Sequence, residues 1–131
     1  MIVLTGREAS IVACLCDTVV APAPPLPAVA DTDAVQAFDR YLATSPPLNR
    51  FGLRALVHVA ELAPRLMGHG ALLRRLGREE RGRALRRAEG SRAKPLVDAV
   101  EFVARLSYFG DDGVMRLLGY DADANLRRAR A

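Results

Sequence analysis

The chain has 131 residues, half of them apolar, and a formal charge of +4 from 19 basic and 15 acidic side chains. That length suits one domain with a single core, and the apolar share excludes an intrinsically disordered chain. No run reaches the roughly 18–20 uninterrupted apolar residues of a membrane span; Phe51–Ala63 and Pro95–Phe109 are broken by charges and read as core helices.

The opening MIVLTGREAS has neither a basic n-region nor a twin arginine. No signal peptide is expected, and the cytoplasm is the expected location unless a partner carries the protein out. The first helix is expected from Gly6 to about Val20. Thr5 is its N-cap and Glu8, three residues on, completes a capping box. Ile11, Val12, Leu15, Cys16, Val19 and Val20 form its apolar face. Four prolines between Ala21 and Pro27 then predict an extended, stiff connector on the surface.

A second helix is expected from about Asp33 to Ala43, with Val35, Phe38, Tyr41 and Leu42 facing inward. Ser45 before Pro46-Pro47 predicts the cap of a third helix running to about Leu62, with Pro64 ending or kinking it. Its polar positions, Arg50, Arg54, His58, Glu61 and Arg65, are spaced 4, 4, 3 and 4, which predicts one narrow wet stripe on an apolar rod. Gly68-His69-Gly70 is a break. From Leu72 to Arg92 come eight Arg and three Glu, with a short amphipathic helix expected from Arg78 to Glu89 and ended by Gly90. The charges of this stretch are expected to pair at i, i+4 on a solvated face.

Ser91 is the expected cap of a further helix, about Arg92 to Phe109. Its polar residues are few (Asp98, Glu101, Arg105, Tyr108), so it is expected to be the central helix. No stretch alternates with period two for long enough to be a strand. The predicted fold is an all-α, single-domain orthogonal bundle of about five to six helices over residues 1–121, with 122–131 a frayed end or linker.

Residue types that carry chemistry are sparse. Cys14 and Cys16 lie two apart on a helix, pointing in different directions, which suits buried free thiols rather than a metal site or disulfide. His58 and His69 have no ligand spacing, and Asp111-Asp112 between two glycines suits a helix cap better than a calcium loop. No P-loop or dinucleotide fingerprint is present. No catalytic, cofactor-binding or metal-binding residue is assigned, so a stand-alone enzyme ranks last.

Of the 19 basic residues 18 are Arg, which fits either a GC-rich coding bias or a functional basic face. Nucleic acid is disfavoured as a partner. Glu79, Glu80 and Glu89 are interspersed among the arginines, and no aromatic lies between Phe51 and Phe102.

The last segment, Leu106–Asp121, reads LSYFGDDGVMRLLGYD, with Tyr108, Phe109 and Tyr120 set around tight turns. Such a segment suits docking onto a partner. Together with the opening LTGREASIVACLCDTVVAP, it resembles the small helical subunit 3 of membrane-linked gluconate 2-dehydrogenases. It is also similar to the N-terminal helical extension of long-chain alcohol oxidases in the glucose-methanol-choline flavoprotein family. The motifs are the capped apolar helix leading to Asp17-Thr-Val-Val-Ala-Pro22, the Leu72/Leu73…Arg81…Leu85 segment, and the closing S-Y-F-G and L-G-Y-D.

The resemblance implies a non-catalytic accessory module on a flavin-dependent oxidoreductase acting on an alcohol, sterol or sugar. It is either a split subunit or part of a longer chain. FAD would sit on the partner, with no cofactor on this chain. One departure is the missing twin-arginine signal, which small subunits of that family often carry. The expected contact surface comprises Tyr108, Phe109, Met115, Leu118 and Tyr120, with Arg74, Arg78 and Arg81 at its rim; aromatics, Met and Arg are enriched at interface cores. The rival expectations are a small basic nucleic-acid-binding or regulatory protein and a helical lipid-binding module. A dry internal pocket of several hundred cubic ångströms would favour the last.

Overall fold

A computed structural model describes residues 2–66 and 71–110. Among them are five α-helices, two 3₁₀ turns and no strand, so the chain is all-α. The helices are α1 (Gly6–Val20), α2 (Ala34–Thr44), α3 (Pro47–Leu66), α4 (Arg78–Glu89) and α5 (Lys94–Phe109), with the 3₁₀ turns at Val29–Asp31 and Leu73–Arg75. No described helix is long and apolar enough to cross a membrane.

The capping box starts α1 as its residues dictate. The Thr5 hydroxyl accepts the Glu8 N–H at 3.1 Å, and a Glu8 carboxylate oxygen accepts the Thr5 N–H at 3.0 Å. The helix ends on Ala21 in the left-handed conformation (φ 46°), whose N–H bonds the Asp17 carbonyl. The proline-rich connector that follows is a turn rather than an extended spacer: Leu26 N–H reaches back to the Ala23 carbonyl at 2.9 Å.

The two serines expected to open helices instead close the helices before them. Ser45 donates its hydroxyl to the Tyr41 carbonyl at 2.7 Å. Ser91 donates to the Ala88 carbonyl at 2.7 Å and accepts the Ala93 N–H, so α5 begins only at Lys94, with Pro95 in its first turn. A serine between two helices can satisfy a carbonyl behind it and an N–H ahead of it: Ser45 bonds the preceding carbonyl, and Ser91 serves both. Pro64 does not stop α3. It lies in the final turn, where its missing N–H forfeits one ladder bond, and its ring is buried.

Ile11, Val12, Leu15 and Cys16 of α1 meet Phe38 and Leu42 of α2, Val57 and Ala60 of α3, and Val100, Val103 and Ala104 of α5 in one core. The α1–α5 contact is the most extensive in the fold, and both helices touch the other three. Two polar anchors fasten the N-terminal segment and the connector to this core. Asp39 accepts backbone N–H bonds from Ile2, Val3 and Leu4 at 2.7–2.9 Å, which outweigh burial and lower its pKa. Tyr108 is wholly buried and donates its hydroxyl to the Pro27 carbonyl at 2.6 Å, tying α5 to the connector.

Tyr108→Phe is expected to cost at least about 1 kcal/mol, because the hydrogen bond to the Pro27 carbonyl is lost while the ring stays packed. Tyr108→Ala is expected to cost about 3–5 kcal/mol, the range for emptying an aromatic site in a core. Urea unfolding followed by circular dichroism distinguishes the two.

Candidate docking surface

Two carboxylates are buried beneath α3. Glu8 of α1 is 2% exposed and Glu61 of α3 is 1% exposed. Arg54 grips Glu8 through two parallel bonds, Nε to Oε2 at 3.1 Å and Nη2 to Oε1 at 3.0 Å. His58 Nε2 lies 3.0 Å from the same Oε2. An ionised carboxylate only accepts, so this contact assigns the His58 proton to Nε2. Glu61 takes Arg74 Nε at 2.6 Å and Arg7 Nη2 at 3.4 Å. Burial pushes the Glu8 carboxyl up, but hydrogen bonds from Arg54, the Thr5 N–H and His58 outweigh it and bring the pKa down to about 2.

This network decides which side of α3 faces the core. The row expected to be wet runs along the flank of α3 that meets α1: Glu61 is buried and Arg54 half-buried against Glu8, while His58, also bonded to Glu8, and Arg65 stay exposed. The apolar row opposite buried Val57 and Ala60 faces out. Leu48, Phe51, Ala55, Val59 and Leu62 follow one another at spacings of 3, 4, 4 and 3 and are all exposed, Leu48 at 84% and Phe51 at 73%.

A second apolar row runs along α5. Val97, Val100, Val103, Ala104 and Tyr108 take the inner face, which leaves Pro95, Ala99, Phe102 and Leu106 outside, Phe102 at 65% exposure. So α5 is not sheathed on all sides, as its scarcity of polar residues suggested. Arg105 pairs with Glu101 at 3.4 Å beside this row. The neighbouring Glu89 carboxyl, then burial, hold Glu101 above the ordinary carboxylate range. Single exposed apolar residues are ordinary, whereas ordered rows on two helices mark surfaces built to be covered.

The residues expected at the contact surface are distributed differently. Tyr108 presents no surface, since its ring is in the core. Phe109 is half-buried and packs edge-on against Tyr108, with ring centroids 5.2 Å apart. Met115, Leu118 and Tyr120 lie outside the described residues, as do His69 and Asp111-Asp112.

The three arginines bind within the fold. Arg74 holds Glu61; Arg81 reaches Asp17 at 2.6 Å and Arg78 reaches it at 3.3 Å. Arg78 also donates to the Pro22 carbonyl. They clamp α4 and the preceding turn to α1 and α3, where i, i+4 pairing was expected. Within α4 only Glu79 and Arg83 form such a pair, at 4.0 Å. Phe51, Phe102, Leu48 and Leu62 went unassigned at the sequence level. For the three residues of α3 the signal was present, as apolar residues on both sides of its polar row.

Cys14 and Cys16 are free thiols; burial pushes Cys16 up to about 12 and also raises Cys14, so neither is a ready thiolate. Among the described residues no cluster of three His, Cys, Asp or Glu could hold a metal ion. No protein-family model matches the chain, and the searches for similar curated proteins and solved structures found no match.

The Glu8 cluster makes a pH prediction. The folded pKa, about 2, lies below the unfolded value near 4.5. Its stabilisation, on the order of 3 kcal/mol, is therefore complete above about pH 4.5 and disappears as pH falls toward 2. Glu8→Gln should accordingly lower stability by about that amount at pH 7 and by much less near pH 2. Melting curves of both proteins across this range test it.

Proposed function

We propose that this chain is a non-catalytic accessory module that docks on a flavin-dependent oxidoreductase of the glucose-methanol-choline type. The outward apolar rows of α3 and α5 would be the covered surface. The observation that carries the docking role is the exposed row centred on Phe51, kept outward because Arg54 and His58 are tied to buried Glu8. The flavoprotein class rests on the resemblance of the LTGREASIVACLCDTVVAP opening and the S-Y-F-G and L-G-Y-D closing motifs. FAD belongs to the partner in this proposal, as does the chemistry on an alcohol, sterol or sugar. Cytoplasmic residence, or export together with the partner, is part of the same proposal.

The free arginines needed for a nucleic-acid contact are not supplied by Arg74, Arg78 and Arg81, whose guanidinium groups are engaged with Glu61 and Asp17. A protein partner makes better use of an exposed aromatic row. Phe side chains bury large apolar areas when covered and serve as anchors in desolvated pockets.

A tagged chain purified from its native host is expected to bring down a flavin-containing protein, seen as flavin absorbance in the eluate. A colourless chain eluting alone would remove the flavoprotein assignment. Phe51→Ser and Phe102→Ser should each weaken the complex by ~10-fold or more while leaving helicity unchanged, since both rings are mainly exposed. Unchanged binding in both variants would move the contact elsewhere.

A further inference from the structure

We propose that the cleft bounded by α1, α3, α4 and α5 binds a single unbranched aliphatic chain of medium length. The cleft has a volume of about 240 Å³. Its space comes from short side chains on three converging segments: Ala60 and Ala63 of α3, Ala84 and Ala88 of α4, and Ala93 just before α5. Larger residues at these places would have closed it, as Leu and Val close the core on the far side of α1.

Polarity defines the ligand class. Among the described residues Thr18 and Arg81 are the only polar side chains on the wall, and their hydrogen bonds are made within the protein. The Thr18 hydroxyl donates to the Cys14 carbonyl at 2.8 Å and accepts Arg81 Nε at 2.9 Å. The remaining guanidinium nitrogens of Arg81 donate to the Leu76 carbonyl and to Asp17. A polar atom brought inside would lose its water and find no partner, so the buried part of the ligand is hydrocarbon. Among the described residues no aromatic lines the cleft for a ring to stack on, and a flexible chain follows the irregular alanine-lined space better than a rigid ring.

Size sets the length. A dry apolar cavity of about 150 Å³ accepts benzene, so by proportion this one holds about ten carbons. Val59 on the wall is also partly exposed, which places an opening on the α3 side where a polar head could remain in water.

The test is binding of 1-alkanols from hexanol to hexadecanol to the full chain, read as saturable rises in melting temperature. The proposal expects the strongest rise near 1-decanol, and that Ala88→Leu, which fills the cleft, weakens the apparent Kd for decanol about tenfold or more. Should Ala88→Leu fail to fold, methyl NMR of the unmodified protein replaces it: decanol should shift Leu85, Leu96 and Val97 and leave Leu42 and Val12 in place. Absence of saturable binding at any chain length overturns the proposal. So does stabilisation that is equal in Ala88→Leu, or methyl shifts spread over the whole core.

Discussion

The structure depends most on one buried charge. Glu8 lies in the first turn of α1 with almost no access to water, and an isolated carboxylate there would cost several kcal/mol in desolvation. It is tolerable only because the Thr5 N–H, the Arg54 fork and the His58 ring all reach it. Arg54 and His58 are one helical turn apart on α3, so satisfying Glu8 fixes the rotation of α3 about its own axis. A helix rolled to bury Phe51 would carry Arg54 and His58 away from the carboxylate. The apolar outer row is thus a consequence of the ion pairing, and the candidate docking surface inherits its geometry from the inside of the molecule.

The same device recurs along α1. Asp17, near its other end, receives Arg78 and Arg81, and Arg7 reaches across to Glu61. Between these charged ends lies the apolar face of Ile11, Val12, Leu15 and Cys16. One helix therefore supplies both the centre of the core and the ionic fasteners for α3 and α4. Fasteners of this kind are directional where hydrophobic contact is not, so they set how the helices are turned rather than how strongly they collapse.

Local signals along the chain were legible where one helix alone decides the outcome. The capping box of Thr5 and Glu8 begins α1, and α4 spans Arg78–Glu89 with Gly90 following, as its residues indicated. The serines at 45 and 91 were ambiguous because a hydroxyl serves a preceding carbonyl as readily as a following N–H. The arginines of the 74–81 region were visible as charges, but their partners Asp17 and Glu61 lie more than ten residues away, or in another helix. Tyr108 looked like a surface aromatic beside a turn. Only the returning connector, with the Pro27 carbonyl at its tip, makes its site a buried one.

By itself the sequence determined the all-α class, the cores of the helices and the absence of a long apolar span, since periodicity and capping act within a few residues of each other. It also showed that α3 carries a polar row between apolar ones. Which of those rows faces water was decided by tertiary structure alone. Hydropathy ranks apolar rows as inward, whereas a buried carboxylate from another helix demands its cations at once. The cost of leaving that charge unpaired exceeds the cost of exposing a few apolar side chains.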